Sequence, residues 1–223
     1  NQTLKPTETI ICLDGKVRKN LIKIINKYIE KINIKVIKNP KSSLAENLNV
    51  GLKNCSYKFV VRCDSDDISL PNRFEEQIKL LSDFGLDVVS SNIIEVFKNV
   101  KRIKRVPSGI IDKNSIFRYF RNPVNHNVSA FRKESIMQFM YPSGRMEDFL
   151  LWTRLLNNNY KIYNQNKELL IADVNNLGSR RIGMDYRKAE KKLFQINFQE
   201  SQFSGKLFSI FAFLIRYPLR FYY

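Results

Sequence analysis

Two periods of apolar residues alternate through the first half of the chain. Short runs at Thr9 to Leu13, Ile34 to Ile37, Lys58 to Cys63 and Asp87 to Phe97 have the length and β-branched or aromatic content of strands. Between them, Val17, Leu21, Ile25, Tyr28 and Ile32 recur at helical spacing, and Leu44, Leu48 and Leu52 mark a second helical face. A third helix is predicted to open at Pro71, a favoured first-turn residue, and to run through Phe74, Ile78 and Leu81 to a stop at Gly85. Strands that alternate with helices predict an α/β domain with a mixed, mostly parallel sheet covered on both faces. Ligands of such sheets bind at the carboxyl ends of the strands.

The second half is less regular. It carries a basic segment at Lys98 to Arg105, a predicted helix around Ile111 to Phe120, a strand around Asn127 to Arg132 and a helix from Glu147 to Leu156. Nothing repeats internally, and no Gly/Ser/Pro-rich linker marks a second domain. From Lys206 the chain turns apolar and aromatic with interspersed Arg. The apolar stretch Leu207 to Ile215 falls well short of the ~20 residues that a spanning helix needs.

Composition narrows the partners. The 223 residues hold 38 Lys+Arg against 21 Asp+Glu, a formal charge of +17, so an anionic partner is expected: nucleic acid, an anionic lipid surface or a phosphorylated substrate. The three cysteines, Cys12, Cys55 and Cys63, form no CxxC, and His126 is the sole histidine, which excludes a Cys/His zinc site of ordinary spacing. Their apolar settings predict buried thiols in a reducing compartment. No helix-turn-helix, zinc-finger, RRM or KH pattern appears and the cations are spread along the chain, which argues against nucleic acid.

The chemistry concentrates at Val60-Val61-Arg62-Cys63-Asp64-Ser65-Asp66-Asp67, a strand that ends in three carboxylates within four positions. Like charges this close raise one another's pKa unless a cation offsets them. A hard divalent ion with oxygen ligands, Mg²⁺ or Mn²⁺, provides that offset. A solvated acidic turn in which Asp67 caps the next helix is the plain alternative.

These residues resemble glycosyltransferase family 2, of GT-A type. The resemblance runs from Asn1 to about residue 200: NQTLKP before a strand ending in Asp14-Gly15, SLAENLNVGL, RCDSDDISLPNRFEEQ, NPVNHNVSAFRK, MEDFLLWTRLL and, more loosely, SRRIG. The branch it is most similar to contains bacterial enzymes that add a hexose to a lipid-linked sugar diphosphate in O-antigen or exopolysaccharide assembly. The resemblance implies a GT-A domain over residues 1–200, a UDP-sugar donor, a lipid-diphosphate-linked acceptor and a cytoplasmic site at the inner membrane face. Asp64-Ser65-Asp66 would be the DxD motif, with Asp64 toward ribose or metal and Asp66 on the metal that bridges the diphosphate. Arg62 would touch the diphosphate, although an ion pair with Asp67 suits it equally. Asp14 matches the family's uracil-binding acid, and an ordinary Asp-Gly turn accounts for it as well.

In the same family Glu147-Asp148 would be the ED motif, with Asp148 the catalytic base and Glu147 beside the acceptor or diphosphate; two acids at a helix start also suit the macrodipole. Trp152 lies one helical turn on, where an indole could support an acceptor sugar, though a lone Trp is more often core. His126 matches a position near the acceptor or diphosphate, and a neutral structural histidine fits as well. Arg180 and Arg181 look like a basic loop that closes over diphosphate.

From Arg180 to Arg220 nine Lys/Arg face three acids, a net charge of +6, and with the aromatic terminus this predicts that residues 201–223 lie in the plane of an anionic membrane surface. Family members begin with a strand and helix ahead of NQTLKP. The expectation is therefore that this first strand and helix are missing, leaving an open edge beside Thr9 to Leu13 and a polypeptide that is poorly stable and poorly active.

Overall fold

The structure is a computed structural model that describes residues 1–40, 42–175 and 183–220. Its elements run β1 (Thr9–Asp14), α1 (Lys19–Ile29), β2 (Ile34–Asn39), α2 (Leu44–Asn54), β3 (Phe59–Val61), β4 (Asp67–Ser69), α3 (Arg73–Asp83), β5 (Val88–Phe97), β6 (Val100–Lys104), β7 (Gly109–Ile111), α4 (Phe117–Phe120), a 3-10 turn (His126–Val128), β8 (Ala130–Arg132), α5 (Lys133–Met137), α6 (Glu147–Asn157), β9 (Ile162–Asp173), α7 (Met184–Glu200), α8 (Phe203–Arg216) and a last 3-10 turn (Pro218–Arg220).

Seven strands form one mixed sheet in the order β3-β8-β5-β9-β4, with β6 added to β5 and β7 to β9, while β1 and β2 pair in parallel by themselves. Alternation along β5 explains how the large sheet is covered. Val88 points to a core made with Leu52 of α2 and Leu151, Trp152, Leu155 and Leu156 of α6; Val89, its neighbour, points to the opposite core with Leu81 of α3 and Ala130. The α/β architecture expected from the sequence is present. The sheet is less parallel than expected: β1–β2 and β5–β9 are the two parallel pairs, and the other five pairings are antiparallel. Of the antiparallel pairs only β5–β6 is closed by a tight turn, which only antiparallel neighbours allow; β7 and β8 join the sheet over long connections. Among the described residues β1 has β2 on one edge and no strand on the other.

Local chemistry accounts for the other departures. The helix expected over Ile111 to Phe120 shrinks to the single turn of α4, because the Asp112 carboxylate accepts from the Asn114 amide and the Ser115 hydroxyl and holds a turn there. The predicted strand at Asn127 begins only at Ala130, after the 3-10 turn. β9 has no counterpart in the sequence reading, since Asn164, Gln165, Asn166, Lys167 and Glu168 interrupt any apolar period. Asn164 is buried there because its amide donates to the carbonyls of Pro107 and Pro123, both at 2.8 Å. The cysteines are not the buried thiols expected. Cys12 and Cys55 are partly buried and Cys63 is exposed, because β3 ends at Val61 and the chain leaves the sheet.

The C-terminal helix packs against α4 and α7. α8 lays the small residues Gly205, Ser209 and Ala212 against α4 and α7, close enough that a Cβ on Gly205 would collide with the Tyr119 hydroxyl. Arg216 and Arg220 do not face outward. Both pair with the buried Glu190 of α7, at 2.8 and 2.7 Å. On its other side α8 exposes Phe203, Leu207, Phe211, Leu214 and Ile215.

Candidate active site

The acidic stretch after β3 is built around two buried cations, Arg62 and Arg73. Arg62, buried, forks both Asp64 oxygens at 2.6 and 2.7 Å, so its partner is Asp64 and not Asp67. Asp67 belongs to β4 and caps no helix; Asn72 occupies that position ahead of α3. Asp67 accepts from Asn127 at 2.8 Å, yet burial and the charges of Asp64 and Asp66 push its carboxyl above the usual range. Beneath the turn lies Arg73, 0% exposed. Its guanidinium donates to the Arg62 carbonyl at 2.7 Å, the Ser69 hydroxyl at 2.8 Å and the Gln77 side chain at 3.1 Å, and Gln77 in turn donates to the Val128 carbonyl at 2.6 Å. One side chain thus holds β3, β4 and the turn before β8 in register below the carboxylates.

The second acidic pair opens α6. Met146 precedes it with φ 60°, a left-handed conformation rare for a residue with a side chain, and Glu147 and Asp148 follow in the first turn. Burial, then the Asp148 charge, raises the Glu147 pKa. Asp148 accepts from the Asn122 amide at 2.7 Å through one oxygen, and among the described residues no hydrogen bond engages the other.

A single segment ties the two acidic groups together. Asn122 reaches Asp148, Asn127 reaches Asp67, and His126 between them bonds the Tyr141 hydroxyl at 3.1 Å. Tyr141 is held by reciprocal 2.8 Å bonds between its backbone and the Asn49 side chain of α2. Burial raises its pKa, and the charges that act on it besides are Arg62, Asp148, Glu147 and Asp64. The charges of Arg62, Asp64, Glu147 and Asp148, far apart in sequence, thus all act on one buried hydroxyl. His126 is held well below its usual pKa by burial and by Arg62, which keeps it neutral.

The geometry invites comparison with known proteins. The profile of "Glycosyl transferase family 2" matches residues 1–146. The chain is 30% identical over 96% of its length to the amylovoran biosynthesis glycosyltransferase AmsE of Erwinia amylovora, covering 82% of that protein. It is 33% identical over 85% of its length to the UDP-Gal:alpha-D-GlcNAc-diphosphoundecaprenol beta-1,3-galactosyltransferase of Escherichia coli, covering 71% of it. The chain belongs to glycosyltransferase family 2. Solved structures agree on the fold: TarS of S. aureus in complex with UDP matches with TM-score 0.70 at 18% identity over 97% of this chain, and the mannosyltransferase PcManGT of Pyrobaculum calidifontis in complex with GDP-Man and Mn²⁺ with 0.56 at 13% over 89%. The chain spans 63% of the TarS chain and 64% of the PcManGT chain. The fold is thus the GT-A fold of that family.

Of the residues singled out from sequence, Arg62 pairs with Asp64, and His126 bonds the Tyr141 hydroxyl on which the charges of Arg62, Asp64, Glu147 and Asp148 act. Asp14 does not join them by any hydrogen bond: it stands exposed at the end of β1 and accepts from the Ser42 amide at 2.9 Å. Trp152, expected to support a sugar, is fully buried in the α6 core and meets the His126 ring edge-on at 5.8 Å, so it braces that ring instead. Arg180 and Arg181 lie outside the described residues. Tyr141, Asn122, Asn127, Arg73 and Gln77 were not singled out from sequence. The signals available were the Asn-rich NPVNHN run and an Arg-x-x-x-Gln pair on one face of α3.

A divalent cation suits this donor set. Among the described residues no three His, Cys, Asp or Glu side chains form a ready coordination sphere, but Mg²⁺ and Mn²⁺ take oxygen ligands and share them between protein, phosphate and water. Asp66 is exposed with no hydrogen-bond partner among the described residues, whereas both Asp64 oxygens are held by Arg62. Burial first, and then the charges of Asp64 and Asp66, raise the Asp67 pKa, and a cation beside them would offset the second of these.

Proposed function

We propose that the chain transfers a hexose from a UDP-sugar, with inversion, to a hydroxyl of a saccharide carried on a lipid diphosphate in bacterial surface-polysaccharide assembly. The observation that carries this reading is the Asn122–Asn127 segment, which couples the Asp64–Asp67 turn to Asp148 and leaves one Asp148 oxygen free to accept a proton. Asp148 would take the acceptor hydroxyl proton as that oxygen attacks the anomeric carbon; the bond from that carbon to the diphosphate oxygen breaks on the opposite face, and its electron pair leaves with UDP. Asn122 would keep the base in place, and neutral His126 and Tyr141 nearby would not compete for its proton. Asp66, with Asp64 once released by Arg62, would hold Mn²⁺ or Mg²⁺, which when bound neutralises charge on the departing diphosphate. Arg62, freed in the exchange, would contact the diphosphate, with Arg180 and Arg181 as further cations and Asp14 at the base.

The named galactosyltransferase relative supports the donor and acceptor class, and the nucleotide complexes of the structural neighbours support the phosphate site. No described helix is long and apolar enough to cross a membrane. The outward apolar face of α8 would instead lie on the cytoplasmic membrane surface, where a lipid-borne acceptor is found. The test is NMR of the product made from an α-linked UDP-hexose with Mn²⁺ or Mg²⁺ and a lipid-diphosphate-linked sugar: a β-linked product is expected, and an α-linked product would contradict the single displacement.

A further inference from the structure

The β5–β6 hairpin, whose β6 edges the large sheet while β5 stays paired with β9 as far as Val96, carries the most basic stretch of the chain, which the catalytic reading does not use. Residues 98–105 hold five cations and no acid. Phe97 pairs with Val100 around a two-residue turn in which Lys98 and Asn99 have φ 45° and 66°, the doubly left-handed geometry of a tight hairpin. Glycine or asparagine usually fills the first of those positions; here it is a lysine, whose ammonium lies over the Phe97 ring at 5.4 Å. The apolar residues of the hairpin are turned outward, with Phe97 44%, Val100 66% and Ile103 42% exposed. At its base Glu95 is buried and takes Arg102 and Lys104 at 2.7 and 3.8 Å. Among the described residues Lys98, Lys101 and Arg105 have no carboxylate partner. Lys98 and Lys101 thus stand beside exposed Phe97 and Val100 at the tip, and exposed Arg105 lies at the other end of β6.

The base of the hairpin is fixed to the catalytic segment. The Arg121 guanidinium donates to the Arg105 carbonyl at 2.7 Å, Asn125 donates to the Lys104 carbonyl at 3.4 Å and the Ser91 carbonyl at 2.9 Å, and the Val106 amide donates to Asn92 at 3.1 Å. Asn122, which holds Asp148, lies between those anchors in sequence. α4, just before Arg121, is also where α8 docks, through Tyr119 with Ser201 and Arg216.

We propose that the β5–β6 hairpin is a docking surface for anionic lipid: Phe97 and Val100 enter the headgroup layer while Lys98, Lys101 and Arg105 pair with lipid phosphates. Charge complementarity selects this occupant, since cations adjoining exposed apolar side chains gain from both parts of an anionic bilayer surface, whereas nucleic acid would leave the apolar side chains unused. The docking surface deepens the membrane part of the proposed function and rests on it.

The experiment is co-sedimentation of the full chain with vesicles of equimolar phosphatidylglycerol and phosphatidylcholine, against phosphatidylcholine alone. Binding to the anionic vesicles only is expected. The triple substitution Lys98→Gln, Lys101→Gln and Arg105→Gln should weaken it on the order of 100-fold, at roughly fivefold per cation, and Phe97→Ser with Val100→Ser should weaken it at unchanged charge. A control with Lys19, Lys23 and Lys27 of α1 changed to Gln should leave most binding intact. Equal loss in that control, or no binding by the unmodified chain, would overturn the proposal. So would tighter binding to duplex DNA than to vesicles at the same salt. Turnover of a water-soluble acceptor by the hairpin variants should equal that of the unmodified chain; a fall there would place the hairpin in the sugar site and overturn lipid docking. Vesicle binding through the hairpin in a chain that transfers no sugar would support the docking surface and count against the catalytic reading alone.

Discussion

Replacing Arg73 by Met tests whether the acidic turn is held from below by a buried cation. The side chain loses three good hydrogen bonds, to the Arg62 carbonyl at 2.7 Å, the Ser69 hydroxyl at 2.8 Å and Gln77 at 3.1 Å. The Ser69 hydroxyl can rotate to another partner, but the Arg62 carbonyl and the Gln77 oxygen are left without their donor in the interior, at about 1–3 kcal/mol each. Against this, Met removes a guanidinium whose burial already lowers its pKa and which contacts no carboxylate. The balance is a loss of about 2–4 kcal/mol, read from the urea midpoint at constant slope. Arg73→Lys should recover only part of it, because an ammonium cannot reach three acceptors in the plane of a fork. The turn should suffer beyond the global loss: Mn²⁺-dependent UDP affinity, measured at a temperature where both proteins are fully folded, should fall at least about tenfold, ~1.4 kcal/mol. A loss below about 0.5 kcal/mol together with unchanged UDP binding would refute this account of the turn.

Other perturbations separate the remaining parts. His126 stays neutral in the fold, so the unfolded chain binds its proton first and stability should fall as pH drops below ~6.5. In His126→Gln that component is gone, and the difference in unfolding free energy from the parent should change by up to about 1.4 kcal/mol per pH unit below ~6.5; a constant difference would show that His126 protonates freely. Glu190→Gln strands Arg216 and Arg220 and should cost about 3–5 kcal/mol, seen as a drop in thermal midpoint that Arg220→Gln in the same chain partly reverses. Asn122→Ala should lower kcat by about tenfold or more with little change in donor KM, since it frees Asp148 without touching UDP; an effect on KM alone would mean that Asn122 serves binding.

What the sequence disclosed and what it hid divide along physical lines. α2 and α3 were legible because apolar positions recur at helical spacing, and β5 because it has the length and β-branched content of a strand, here buried on both faces; α2 also carries a capping box, with Ser43 and Glu46 bonded reciprocally. β9 was not, because its polar middle is buried on hydrogen bonds from Asn164 and not on apolar contact. The carboxylates of the site stood out as clusters in sequence. Their supporters did not, since Asn122, Asn127 and Tyr141 act through contacts to residues 26, 60 and 15 positions away that no local pattern encodes. The charge of +17 admitted any anionic partner at first; the structure commits Arg62, Arg216 and Arg220 to carboxylates and leaves the hairpin cations facing outward.

The central claim is that Asp148 removes the acceptor proton. The decisive measurement is kcat for Asp148→Asn with UDP-hexose, Mn²⁺ and acceptor at saturation, beside the UDP dissociation constant of the same sample. The amide can keep a hydrogen bond with Asn122 through its oxygen but cannot accept the proton, so kcat should fall by about 10²–10⁴-fold while UDP affinity holds. Turnover within a few fold of the unmodified chain would contradict the assignment of the base.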